Sequence, residues 1–92
     1  MRVLQILPEL NIGGVERGTL DLSKALVDRD YESHVISGGG ILVDELTRSG
    51  AKHYEIPVHI KSLNTLFLAK SLSETISRID PDIVHVRSRM PA

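Results

Sequence analysis

The stretch Leu-Pro-Glu-Leu-Asn-Ile-Gly-Gly-Val-Glu-Arg, residues 7–17, decides how the rest of the chain is interpreted. An apolar run over residues 3–7 stops at a proline, a short loop closes on Gly13 and Gly14, and a helical pattern begins at Val15. The first-turn N–H groups of a helix have no partner inside the helix and carry partial positive charge from its dipole. A strand, a glycine turn and a helix in this order therefore predict backbone donors at a sheet edge, suited to a phosphate or carboxylate.

The glycines of this turn leave two interpretations open. Many strand-to-helix turns carry glycine for chain geometry alone, and Gly13, Gly14 and Gly18 match neither G-x-G-x-x-G nor the P-loop pattern. The other interpretation is a ligand that approaches the backbone closely. Glu16 places negative charge in the first helical turn, which would repel a phosphate, so its carboxylate suits the hydroxyl groups of a ligand better.

The composition describes an ordinary soluble domain. A chain of 92 residues with 41% hydrophobic and 25% charged residues forms one globular domain at most. A net charge of −1 and 3% aromatic residues argue against nucleic acid as a partner. Without cysteine there is neither a disulfide nor a thiolate metal site. No apolar run approaches the ~20 residues of a membrane span, and no signal-peptide core precedes the first strand. We therefore expect a cytoplasmic protein.

Strand-like and helical patterns alternate along the chain. Apolar runs predict strands over residues 2–7, 32–37, 51–56 and 82–86, and amphipathic spacing predicts helices over about 15–28, 41–49 and 63–79. In the first helix, Val15, Leu22, Ala25 and Leu26 are expected to face inward and Glu16 to face solvent. The order βαβαβαβ predicts an α/β fold with a parallel sheet of about four strands and right-handed crossovers. The strand order 3-2-1-4 follows if the fourth strand pairs with the first.

This strand order predicts where a ligand binds. Ligands of open parallel sheets bind beyond the carboxyl ends of the strands, where the strand order reverses. Residues 9–14 and the segment Arg87-Ser88-Arg89 would then line one crevice. Arginine offers paired donors in one plane, which suit phosphate and carboxylate. A solvated chain end with no ligand is the competing interpretation of the two arginines.

The other polar residues predict less. The four histidines do not have a metal-ligand spacing, and we expect no metal and no cofactor. His85 lies inside an apolar strand, with no carboxylate following to orient it, and is interpreted as a hydrogen-bonded structural residue. The turn at residues 38–40 lacks an acidic residue to hold a ribose, so we interpret it as a plain flexible turn.

The predicted fourth strand indicates a truncated domain. It is the last predicted element, although a strand in that position would be interior in a larger sheet, and no helix follows to cover it. We therefore expect residues 1–92 to form the first half of a Rossmann-like domain.

Four pieces of sequence, taken in order, resemble the opening half of the family 4 glycosyltransferases. They are RVLQILP at residues 2–8, GGVER at 13–17, LSKAL at 22–26 and PDIVH at 81–85. The extension over residues 86–92 is similar to bacterial members linked to surface-polysaccharide or lipopolysaccharide synthesis.

The resemblance implies a retaining enzyme of the GT-B fold, in which two Rossmann-like domains face each other. The N-terminal domain would mainly bind the acceptor, and an absent C-terminal domain would bind the nucleotide-diphosphate sugar. Gly13 and Gly14 match the loop that approaches the donor diphosphate through backbone N–H groups. Arg87, Ser88 and Arg89 match a loop beside the acceptor, and we group Glu16 with them.

The resemblance also implies what the chain lacks. The family's carboxylate motif and its cleft histidine would lie beyond Ala92, so no catalytic residue is expected in residues 1–92, and these residues alone are expected to be inactive. The acceptor would be a carbohydrate or a lipid-linked sugar. Peripheral contact with the inner membrane through Lys61, Arg78, Arg87 and Arg89 is a further hypothesis. A GT-B epimerase acting on a nucleotide sugar and a small non-catalytic binding domain are the alternatives.

Overall fold

The computed structural model describes residues 1–57 and 65–87. The chain forms β1 (Arg2–Ile6), α1 (Gly14–Asp28), β2 (Glu32–Ser37), α2 (Val43–Arg48), β3 (Lys52–Glu55), α3 (Thr65–Ile79) and β4 (Ile83–Val86). This order confirms the predicted alternation of strands and helices. Helix α2 begins two residues later than expected, and the Leu42 N–H just before it donates to the Leu10 carbonyl (2.8 Å).

The four strands form one sheet in the order β3-β2-β1-β4, and neighbouring strands are parallel. Leu4 of β1 is paired with His34 of β2 and with Val84 of β4. The predicted order 3-2-1-4 is therefore confirmed, and the order reverses between β1 and β4. A crevice of the kind predicted from topology would lie at the carboxyl ends of these two strands.

Helices cover both faces of the middle of the sheet. On one face α1 and α2 pack over a cluster of buried apolar residues: Leu7, Leu10, Leu20, Val35, Leu46 and Ala51. On the other face α3 packs over a second cluster: Leu4, Ile6, Ile36, Ile56 and Ile79. Burial on both faces explains why β1 and the centre of β2 show continuous rather than alternating apolarity.

The face of α1 that meets the sheet is partly polar, which corrects our sequence-based assignment. The buried residues of α1 are Glu16, Thr19, Leu20 and Ser23. Glu16, which we expected to face solvent, is only 1% exposed, whereas Ala25, which we expected to face inward, is exposed. Burial of the two hydroxyls is tolerated because each has a partner. Ser23 Oγ lies 2.6 Å from Ser33 Oγ, and Thr19 Oγ1 donates to the Val15 carbonyl (2.9 Å).

Strand β4 differs from the other strands because its side chains are exposed. Ile83, Val84 and Val86 are 48%, 46% and 67% exposed. β4 forms one edge of the sheet, with β1 as its neighbour. An apolar edge strand that lacks a cover is a surface on which further chain can pack.

No helix in the described part of the chain is both long enough and apolar enough to cross a bilayer.

Candidate functional site

The carboxyl ends of β1 and β4 bring the two sequence-predicted segments to the same edge of the sheet. Ile6 is paired with Val86, and the Arg87 N–H donates to the Ile6 carbonyl (2.8 Å). The glycine turn that follows β1 and the arginine that follows β4 therefore leave adjacent strands side by side. Ser88 and Arg89, the other two members of the predicted arginine segment, lie outside the described residues.

The glycine turn leads directly into α1. Gly13 precedes the helix with an extended backbone (φ 171°, ψ 170°), and its carbonyl accepts the Arg17 N–H (2.9 Å). Among the residues that the structure describes, no side chain caps this N-terminus. A Cβ built on Gly14 would meet nothing within 4 Å. Packing therefore does not require glycine at position 14, and the space in front of the first helical turn is open to a ligand.

An open pocket of about 510 Å³ adjoins the turn, lined by Ile12, Gly13, Gly14, Arg17 and Leu42. Its rim includes the Ile12 side chain, which is 78% exposed. A pocket of this size is large enough for a small ligand. Its exposed lining is almost wholly apolar, and the N-terminus of α1 adjoins it.

Arg17 borders this pocket, although we did not include it among the candidate site residues. Arg17 Nη1 lies 2.9 Å from Glu45 Oε2 of α2, and Arg17 Nε lies 3.5 Å from Asp21 Oδ1 one turn along α1. Both ion pairs are solvent-exposed, so they favour this position of the guanidinium only weakly. The sequence carried a signal for this position, because Arg17 ends the GGVER segment.

The turn at residues 38–40 supports the glycine turn and is not the plain flexible turn expected from the sequence. The Gly38 N–H donates to the Pro8 carbonyl (2.7 Å), and the Leu10 N–H donates to the Gly39 carbonyl (2.9 Å). Gly40 has φ +150°, and a Cβ built there would lie 2.4 Å from the Leu10 oxygen. Its glycine is therefore required for the close approach of two backbones, which fixes the loop that leads to Gly13.

The Arg87 side chain turns back beneath α1 and does not extend freely from the end of β4. Its Nε donates to Gln5 Oε1 (2.9 Å). A Cβ built on Gly18 would lie 3.6 Å from Arg87 Nη1. We expected the donors of Arg87 to point toward the crevice, whereas one of them is used inside the protein.

Glu16 lies on the face of α1 that packs on the sheet, at the end of the helix nearest the carboxyl edge. Its burial, with 1% of the residue exposed, keeps it from open contact with solvent. Its role as an acceptor ligand stays a prediction, and this burial weighs against it.

Comparison with known proteins decides the family to which this arrangement belongs. The family model for Glycosyltransferase Family 4 matches residues 12–92. The chain belongs to glycosyltransferase family 4.

A solved structure supports the same assignment. A crystal structure of a glycosyltransferase from Rickettsia africae ESF-5 is similar to this chain, with 38% sequence identity and a TM-score of 0.77. The similarity covers 98% of this chain and 24% of the Rickettsia chain, so the family 4 chain described here spans about a quarter of that protein's length. The comparison with curated proteins found no match.

The other site candidates of this family 4 chain are its histidines and acidic residues. Within residues 1–57 and 65–87, no group of three or more histidines and acidic residues could hold a metal ion. His85 is exposed on β4, where its backbone pairs with Gln5 of β1. Its interpretation as a hydrogen-bonded structural residue stays a prediction for the side chain.

Two other histidines are fixed by hydrogen bonds. His34 Nδ1 lies 2.9 Å from the Tyr54 hydroxyl, and His34 Nε2 lies 3.0 Å from Glu32 Oε1. His53 Nε2 lies 2.6 Å from Ser37 Oγ. Burial lowers the pKa of His53 below its usual 6.5, against an opposing influence of the Glu55 charge. The contacts of His34 with Tyr54 and of His53 with Ser37 link β2 to β3.

The basic residues proposed for membrane contact do not form one patch in the described structure. Arg78 lines a pocket with Arg2 near the amino end of β1, whereas Arg87 follows the carboxyl end of β4. Lys61 and Arg89 lie outside the described residues.

Proposed function

We propose that the parent protein is a retaining GT-B enzyme that transfers a sugar from a nucleotide-diphosphate donor to a carbohydrate or lipid-linked acceptor in surface-polysaccharide or lipopolysaccharide synthesis. Residues 1–92 would form the first half of its N-terminal, acceptor-side domain. The observation that carries this proposal is the family 4 match over residues 12–92. The 24% coverage of the Rickettsia glycosyltransferase and the exposed side chains of β4 support a domain that is completed by further chain.

The glycine turn supplies the proposed contact with the donor. The first turn of α1 offers backbone N–H groups and partial positive charge, which match a diphosphate. The open space in front of Gly14 allows a ligand to reach these groups. Arg17 adds a guanidinium at the border of the same pocket. Gly13 and Gly14 would therefore bind the diphosphate of a donor held mainly by the second domain.

The tip of β4 supplies the proposed contact with the acceptor. Arg87 directly follows β4, which pairs with β1, the strand that leads to the glycine turn. Ser88 and Arg89 follow it in the sequence. We also assign Glu16, in the first turn of α1, to the acceptor site. No metal or cofactor enters the proposed reaction, and residues 1–92 alone would be inactive because the donor-binding carboxylates would lie in the second domain.

The first experiment presents the full-length protein with a panel of nucleotide-diphosphate sugars and follows donor consumption by mass spectrometry. We expect release of the nucleoside diphosphate in the presence of a carbohydrate or lipid-linked acceptor. Absence of turnover with every donor would contradict the proposal. Conversion of a donor to an isomer of equal mass, with no acceptor added, would instead support an epimerase.

The variant Gly14→Ala tests the proposed contact with the diphosphate. The added methyl group enters open space in the protein, so the free energy of unfolding should not fall. The same methyl group would stand between the ligand and the backbone, and the donor KM should rise about tenfold, which corresponds to about 1.4 kcal/mol. Lys24→Ala, on the exposed side of α1, is the matched control and should leave the donor KM unchanged.

We place the reaction in the cytoplasm, with a lipid-linked acceptor presented at the inner membrane. The test is sedimentation of the full-length protein with vesicles of anionic phospholipid. Binding that weakens as salt is added would support electrostatic membrane contact. Equal partitioning with and without vesicles would restrict the enzyme to a dissolved acceptor.

A further inference from the structure

Gln5 is a fully buried polar residue in the middle of β1, on the face that α1 covers. A buried amide destabilises a protein unless its donor and its acceptor both find partners. Both ends of this amide are used. Gln5 Nε2 donates to the Thr19 carbonyl (3.3 Å), and Gln5 Oε1 accepts the Arg87 Nε–H (2.9 Å).

The orientation of the Gln5 amide follows from the chemistry of its two partners. A guanidinium can only donate, and a carbonyl can only accept. The amide oxygen must therefore face Arg87, and the amide nitrogen must face Thr19. Because α1 holds the Thr19 carbonyl in place, Gln5 links a fixed point of the helix to a side chain that is 82 residues away in sequence.

The surroundings of Arg87 hold its backbone and leave room beside its side chain. Its backbone N–H is bonded to the Ile6 carbonyl, and Gly18 leaves free the space next to Arg87 Nη1. An arginine held only by its backbone samples many rotamers and loses conformational entropy when a ligand fixes it. The bond from Nε to Gln5 removes much of this freedom and leaves the four N–H donors of the two terminal nitrogens for another partner.

We propose that Gln5 is a positioning residue, which fixes the Arg87 guanidinium so that its terminal nitrogens bind an anionic group, a phosphate or a carboxylate, of the acceptor. The ligand of Arg87 rests on the proposed function, whereas the fixing of Arg87 by Gln5 rests on the geometry alone. A guanidinium that is already oriented loses less entropy when it binds an anion, and the paired donors match the two oxygens of the anion.

Steady-state kinetics of the full-length enzyme test the proposal. Gln5→Met keeps the length of the side chain and removes both hydrogen bonds. We expect the KM for an anionic acceptor to rise about tenfold, or about 1.4 kcal/mol, with little change in kcat or in the donor KM. Arg87→Ala should raise the same KM at least as much, and adding Gln5→Met to Arg87→Ala should have little further effect.

Ser23→Ala is the matched control. It also removes a buried hydrogen bond between α1 and the sheet, but Ser23 does not contact Arg87. It should lower stability and leave the acceptor KM unchanged. An equal rise of the acceptor KM in Ser23→Ala and Gln5→Met would show that loosening of α1 is the cause, which would overturn the positioning role.

Chemical rescue separates positioning from a purely structural role. Added guanidinium should partly restore the activity of Arg87→Ala, because Gln5 Oε1 can hold the small cation where the side chain was. It should not restore Gln5→Met/Arg87→Ala. Equal rescue of the two variants would overturn the proposal.

A readout that needs no activity completes the test. In full-length protein labelled with ¹⁵N-arginine, the Arg87 Nε–H should exchange slowly with solvent, and Gln5→Met should make the exchange fast. Fast exchange in the unsubstituted protein would overturn the positioning role. Sugar transfer that survives Arg87→Ala unchanged would overturn the acceptor contact and leave the proposed function intact. Slow exchange without any sugar transfer would overturn the proposed function alone.

Discussion

At the scale of single residues, Gly40 and Gly14 differ in whether their surroundings leave room for a side chain. Gly40 meets the Leu10 backbone, so any side chain there collides with main-chain atoms that cannot move aside. A Cβ built on Gly14 would have no atom from another part of the chain within 4 Å. One glycine is thus required by the fold, and the other is available for a ligand.

We therefore expect Gly40→Ala to lower the free energy of unfolding by about 1–3 kcal/mol, because the residue combines a left-handed φ with a backbone clash. Gly14→Ala should not lower it, since alanine is at least as favourable as glycine in a helix and the added methyl group enters open space. Urea denaturation followed by circular dichroism measures both. Equal midpoints for the two variants would contradict the account of the loop packing.

His53 is expected to make stability depend on pH. Burial lowers the pKa of the folded-state imidazole below 6.5, so the unfolded chain binds a proton at a higher pH than the folded chain does. The contribution of His53 is complete above the unfolded pKa and is lost as the pH falls through 6.5 toward the folded pKa. When the pH is lowered from about 7.5 to about 5.5, the free energy of unfolding should fall more in the unsubstituted protein than in the His53→Gln variant. Parallel urea midpoints for the two proteins over this range would contradict the expectation.

At the scale of elements, α1 packs on the sheet through hydrogen-bonded polar groups as well as through Leu20. Ser23 Oγ and Ser33 Oγ are each other's partners at 2.6 Å, and both residues are buried. Removing one hydroxyl leaves the other buried without its partner, whereas removing both leaves no polar group behind.

A double-mutant cycle tests this packing. Ser23→Ala and Ser33→Ala should each destabilise the protein by about 1–3 kcal/mol. The double variant should be at least about 0.5 kcal/mol more stable than the sum of the two single effects predicts. Strictly additive effects in thermal unfolding would show that the two hydroxyls do not depend on each other.

At the scale of the whole molecule, the exposed apolar residues of β4 predict association. Val84 and Val86 are exposed on an edge strand, which is a template for pairing with another chain. Residues 1–92 expressed alone should self-associate at micromolar concentrations in analytical ultracentrifugation. Val86→Lys should reduce the association, because a charged residue on an edge strand opposes pairing.

Lys24→Ala, which lies away from β4 on an exposed part of α1, is the control and should not reduce the association. A monomer at all concentrations would indicate that this edge is protected within residues 1–92.

Much of the fold could be predicted from the sequence because its signals are local. Apolar runs marked the strands, the proline at residue 81 marked the end of α3, and the alternation of elements left few allowed topologies. The placement of Gly13, Gly14 and Arg87 at one edge followed from that topology. The family could be recognised from GGVER and PDIVH because short segments carried the resemblance.

The buried face of α1 could not be predicted in the same way. Hydrophobic periodicity assigns Glu16, Thr19 and Ser23 to solvent, because the pattern does not include the partner that a polar group finds across a sheet. Gln5 inside β1 looked like an exception to an apolar run, and nothing nearby in the sequence indicates that it accepts a hydrogen bond from Arg87.

The sequence by itself determined the order of the elements and the parallel sheet, since both follow from patterns of residues a few positions apart. Only the tertiary structure decided that Gly40 must accommodate the Leu10 backbone, that Arg17 borders the glycine turn, and that Gln5 holds Arg87. The Gly40–Leu10 and Gln5–Arg87 contacts join residues 30 and 82 positions apart, and the ion pair of Arg17 with Glu45 spans 28 positions. They depend on distances and hydrogen-bond directions that arise only after the sheet has brought distant segments together.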